Sequence, residues 1–93
     1  MRTPEYTGQF KRDFKREMKG QHRTTLVADL SGVLFLLLQD QPLPPRNRDH
    51  PLIGEWKDHR DCHIKPDLIL IYQKPDETTL RLVRLGSHSE LAL

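Results

Sequence analysis

The sequence has 93 residues, of which 35% are hydrophobic and 30% charged, enough for one small domain over residues 1–93 and not for two. Its longest apolar run, Val33 to Leu38, is far short of the roughly 20 residues that cross a bilayer, and no leader pattern opens it, so a soluble, cytoplasmic protein without a membrane partner is expected. Net charge is only +2, the single Cys62 excludes a disulfide framework, and no Cys/His spacing suits structural zinc, so neither metal nor cofactor is expected.

Arg2 to Tyr6 is expected to form a short edge strand, where Pro4 is tolerated because an edge need not donate every hydrogen bond. Thr7 then caps a helix whose apolar stripe is Phe10, Phe14 and Met18, stopped by Gly20. This first stretch is basic: Arg2, Lys11, Arg12, Lys15, Arg16, Lys19 and Arg23 stand against Glu5, Asp13 and Glu17. Such a face attracts phosphate backbones, although a solvated helix laced with ion pairs would carry the same charges. Thr24 caps a second helix, in which Leu26, Val27, Leu30, Val33, Leu34 and Leu37 form a broad buried face. Gln41 to Pro45 ends it, since proline lacks the amide donor and holds the preceding residue extended.

Beyond the prolines the period shifts toward two. Gly54 to His63, Asp67 to Tyr72 and Thr79 to Leu85 are expected as consecutive antiparallel strands, with Leu68 to Ile71, apolar on both faces, at the centre. The fold class is α+β: two N-terminal helices packed on one face of a small, mainly antiparallel sheet.

A three-residue loop at Ile64-Lys65-Pro66 would set His63 opposite Asp67, and a turn centred on Pro75-Asp76 would set Asp67 opposite Arg84. His63, Asp67 and Arg84 would then share a row, with His88 at the same end and His50 in the loop entering the sheet. Imidazoles near neutrality to move protons, with a guanidinium to meet charge on phosphorus, are what phosphodiester cleavage requires. Taken singly, each of these residues has a structural reading as well. His59 fits a half-buried strand position, His22 an interhelix turn, and Cys62 a small strand hydrophobe. Trp56 fits the core better than a base-stacking site. Ser87 and Ser89 lack the strand-to-helix elbow of a serine hydrolase.

Asp49-His50-Pro51-Leu52-Ile53-Gly54-Glu55-Trp56-Lys57, then Arg60-Asp61-Cys62-His63-Ile64-Lys65-Pro66-Asp67, and finally Arg84 with Gly86-Ser87-His88-Ser89-Glu90-Leu91 resemble the YafQ branch of the RelE/ParE toxin superfamily. The resemblance implies a type II toxin that cleaves messenger RNA in the ribosomal A site and is silenced by a cognate antitoxin, touching operator DNA only through the antitoxin complex. It implies metal-free attack of a ribose 2′-hydroxyl on the adjacent phosphate. His50, His63, Asp67 and His88 would move and orient protons, with Asp67 or His63 as base and His88 as acid, while Arg84 would bind the phosphate. Trp56, Lys57, Arg60 and Lys65, with the basic first helix, would contact RNA. Two departures bear on activity: Ala92 stands where relatives commonly carry an aromatic residue, and Leu68 follows Asp67 where some carry tryptophan. The alternatives are a ParE-like gyrase inhibitor and a plain protein-interaction module; neither needs several neutral-range proton donors.

Overall fold

The computed structural model describes all 93 residues. Strand β1 (Thr3–Tyr6) leads into helix α1 (Gly8–Glu17) and helix α2 (Leu26–Leu38). Strand β2 (His50–Pro51), a short 3₁₀ turn (Gly54–Trp56) and strands β3 (Arg60–Lys65), β4 (Leu68–Gln73) and β5 (Thr79–Gly86) complete the chain. The five strands lie in the order β1-β5-β4-β3-β2. β1 runs parallel to β5 and every other pair is antiparallel. The expected architecture is therefore present, with β1 as an edge strand and β4 at the centre.

α1 begins where its sequence says it should. The Thr7 hydroxyl oxygen accepts the Phe10 amide at 3.0 Å, and the same hydroxyl donates to the Val83 carbonyl at 2.8 Å. Thr7 thus caps a helix and ties it to β5 at once. Thr7→Ala is expected to lower stability by about 1–2 kcal/mol in chemical denaturation without changing the slope, since one cap and one carbonyl partner are lost. α2 starts one residue later than expected, at Leu26 after Thr25, with no side-chain cap.

The two sheet faces have different roles. Phe10, Leu26, Leu30, Val33 and Leu37 from the helices pack on Cys62, Ile64, Leu68, Leu70, Tyr72, Leu80, Leu82 and Leu85. On the other face Ile69, Ile71, Val83 and Leu91 form a smaller cluster, flanked by Leu52 and Trp56. No helix covers that second face, so side chains there can meet a ligand. On the helix side, Tyr6, Phe10, Phe14, Val27, Leu30 and Leu34 line an apolar groove of about 460 Å³ with Lys11 and Lys15 among its walls. No helix is long and apolar enough to cross a membrane.

Three expectations fail locally. The strand expected from Gly54 begins only at Arg60, because Gly54 (φ 69°) and Asp58 (φ 69°) take left-handed conformations that an extended strand excludes. His59 accordingly lies outside the strand, with its ring 5.4 Å from that of Trp56 in an edge contact. The β3–β4 hairpin closes through Pro66 and Asp67, with His63 opposite Ile69, Lys65 opposite Leu68 and the register shifting at Ile64. The β4–β5 register also shifts, so Arg84 faces Ile71. His63 is therefore not opposite Asp67, and Asp67 is not opposite Arg84: Asp67 sits in the turn itself, the loop before β5 is longer than a two-residue turn, and each bulge adds one residue more.

Candidate active site

β2 and β3 bring the first two groups together, since His50 pairs with Asp61 across the strands. Asp61 pairs in turn with Ile71, and Ile71 with Arg84. His50, Asp61, Ile71 and Arg84 consequently form one row over four strands on the uncovered face. The next row holds His63, Ile69 and Gly86. Beyond Gly86 the chain turns, and the His88 ring comes to 5.4 Å from that of His63. Three of the expected histidines therefore meet, around a carboxylate, Asp61, that is not among the expected residues.

Asp61 is 3% exposed. Burial pushes its carboxyl above the ordinary value, opposed by the charges that His50, His63 and His88 carry when protonated. The His50 Nδ1 lies 3.1 Å from Asp61 Oδ1. That nitrogen is aimed at the Arg48 carbonyl, 2.7 Å away, so Asp61 Oδ1 receives no well-directed hydrogen bond. Both oxygens near Nδ1 can only accept, so Nδ1 carries the hydrogen and Nε2 of the neutral ring is the basic atom. His63 is held likewise, its Nδ1 donating to the Pro66 carbonyl at 3.3 Å. The ring of His88 has no hydrogen-bond partner in the chain and stands at the surface.

Arg84 lies on the same face with its guanidinium held by Asp13 of α1, from Nε to Oδ2 at 2.7 Å and from Nη2 to Oδ1 at 3.3 Å. Asp67 is placed elsewhere. Its carboxylate accepts from Gln21 Nε2 at 2.8 Å and lies 2.9 Å from His22 Nε2, both in the turn between the helices. Of the expected RNA contacts, Lys57 is exposed and unpaired, Arg60 is paired with Asp49 at 3.2 Å, and Lys65 with Asp29. Trp56 is half-buried against the Ile69 cluster, which agrees with its core reading. Cys62 is fully buried and burial pushes its thiol well up, as suits a strand hydrophobe.

The chain thus carries a helix pair on one side of a mixed sheet and histidines along the opposite face. Residues 2–93 match the family described as the bacterial toxin of type II toxin–antitoxin systems, YafQ, and the chain belongs to that family. The mRNA interferase toxin YafQ of Escherichia coli strain K12 is 42% identical over 88 residues, covering 94% of this chain and 91% of that protein. The crystal structure of YafQ from E. coli strain BL21(DE3) superposes with a TM-score of 0.84 at 39% identity, over 98% of both chains. YafQ in the E. coli DinJ–YafQ complex gives 0.83 at 40% identity, again over 98% of both.

Proposed function

We propose that this chain is a ribosome-dependent endoribonuclease of the cytoplasm that cleaves messenger RNA in the ribosomal A site and so stops translation. One observation carries the reading: three imidazoles gather around a buried carboxylate on the sheet face left free of helices, with Arg84 in the same cross-strand row. That the E. coli relative is an mRNA interferase supports the same chemistry.

His50 Nε2 takes the proton from a ribose 2′-hydroxyl, and the freed oxygen attacks the adjacent phosphorus. Arg84 meets the charge that builds on the phosphoryl oxygens. His88 donates its proton to the departing 5′-oxygen, leaving a 2′,3′-cyclic phosphate and a 5′-hydroxyl. Protein groups thus handle both protons, one gained by His50 and one lost by His88. Asp61 favours the imidazolium that forms at His50, and His63 backs His88. Asp67 acts from the rim, where its contacts with His22 and Gln21 fix the turn whose Pro66 carbonyl orients His63. The base is thereby assigned to His50, in place of the Asp67 or His63 that the family resemblance implied.

Lys57 and the exposed cations of α1, Lys11, Arg12 and Lys15, are suited to ribosomal RNA, which presents phosphate over a wide footprint. The other partner is a cognate antitoxin, as DinJ is for the relative. The apolar groove between the helices, with Lys11 and Lys15 in its walls, suits an acidic amphipathic segment of that protein.

Mapping transcript 5′ ends after brief induction tests the reading. Cuts at in-frame codon positions, present only when ribosomes are, are the expected result. DNA breaks with intact transcripts would establish a gyrase poison instead.

A further inference from the structure

Asp13 is the most heavily hydrogen-bonded carboxylate in the molecule and takes no part in either row of the active face. Although 4% exposed, it accepts from Arg84 twice, from Arg16 Nη1 at 3.0 Å and from the Leu85 amide at 3.0 Å. Burial pushes its carboxyl up, but the hydrogen bonds from Arg84 and Leu85 and the charges of Arg84 and Arg16 outweigh that and leave it below its ordinary value.

Part of this arrangement serves the sheet. β1 pairs with β5 only from Thr79 to Leu82, so the outer edge of β5 would present unpaired backbone groups beyond that point. Asp13 takes the Leu85 amide, and Arg16 donates from Nη2 to the Leu85 carbonyl at 2.8 Å. One carboxylate and one guanidinium, with the Thr7 hydroxyl on the Val83 carbonyl, satisfy that edge. Arg84 is not needed for it, yet Asp13 grips Arg84 by Nε and Nη2 and leaves Nη1 with no partner in the chain.

The same helix edge also holds the turn that carries His88. Arg16 Nε lies 3.2 Å from Glu90 Oε2, and Glu90 Oε1 accepts the Ser87 amide at 2.9 Å. Gly86 sits beneath this clasp. A Cβ there would come within 3.0 Å of Arg16 Nη2 and 3.2 Å of Glu90 Oε1.

We propose that Asp13 is a positioning residue for RNA cleavage, gripping one edge of the Arg84 guanidinium so that Nη1 is presented to the scissile phosphate on the histidine face. The inference rests on the phosphate-binding role given to Arg84 above. An arginine anchored at two nitrogens is fixed before the charge on phosphorus appears, which a freely rotating side chain is not.

The test is the rate of cleavage of a reporter mRNA in a reconstituted translation reaction, well below the melting temperature of each variant. Asp13→Asn keeps an acceptor for the Leu85 amide but loses the charge, and a slowing of about 100-fold is expected. Asp13→Asn combined with Arg84→Ala should be no slower than Arg84→Ala alone, because Asp13 acts through Arg84. Parental rates for Asp13→Asn beside a slow Arg84→Ala, or fully multiplying losses in the double variant, overturn the proposal. If Asp13→Asn does not fold, Arg84→Lys decides: it keeps the charge but cannot be gripped at two points, and at least about 10-fold slowing is expected. A parental rate for Arg84→Lys overturns the proposal. Parental cleavage by Arg84→Ala overturns the role of Arg84 itself, and with it this inference.

Discussion

His88→Ala is expected to slow cleavage by about 10²- to 10⁴-fold, the range that a positioned general acid supplies, and to relieve growth arrest on expression. The ring is exposed and bonds to nothing within the chain, so unfolding free energy should change by less than about 0.5 kcal/mol. Loss of activity with an unchanged melting curve is therefore the signature sought. His88→Gln fills similar space yet holds no titratable proton, and should be as inactive as the alanine variant. Growth arrest at parental strength by both variants would remove His88 from the reaction.

Asp61→Asn is expected to move activity and stability in opposite directions. Cleavage should fall at least about 10-fold, because the imidazolium forming at His50 loses its neighbouring charge. Stability at neutral pH should rise by about 1 kcal/mol, since Asp61 Oδ1 is buried without a directed hydrogen bond. The sign follows from proton uptake. Burial raises the Asp61 pKa in the folded chain, so between about 4, where an unfolded aspartate titrates, and that raised value the folded form holds more protons. The contribution of Asp61 to stability is thus complete below about pH 4 and is lost as pH rises through the folded pKa. Melting temperatures across pH 4 to 8 should show the Asn variant gaining on the parent toward the alkaline end, by several degrees for a domain of this size. A constant gap across that range would contradict the linkage.

The helices, the central β4 and the edge strand β1 were legible because each follows from a local rule: a hydroxyl cap, an apolar period, a doubly apolar run, a proline tolerated at a sheet margin. Register was not. The β3–β4 hairpin turns at Pro66-Asp67, which takes Asp67 out of the expected row, and a long loop before β5 with bulges at Ile64 and opposite Ile71 shifts the strands without any mark that alternation alone reveals. A signal for Asp61 did exist. Asp61-Cys62-His63-Ile64 alternates polar and apolar, which puts Asp61 on the face of His63 whatever the hairpin does. Asp13 had a similar signal, lying three residues after Phe10 and one before Phe14 and hence on the inward side of α1. Local pattern places His22 in the interhelix turn, but its contact with Asp67 joins segments 45 residues apart, and no local pattern encodes such a meeting.

Strand β1 completes the sheet only by pairing Thr3 with Thr79 and Tyr6 with Leu82. During synthesis its partner does not exist until residues 79–82 have been made, and a contact so distant along the chain costs loop-closure entropy before it is rewarded. Arg84 and His88 come later still. The edge strand and the groups proposed for the chemistry therefore come together only after the segment through His88 has been made.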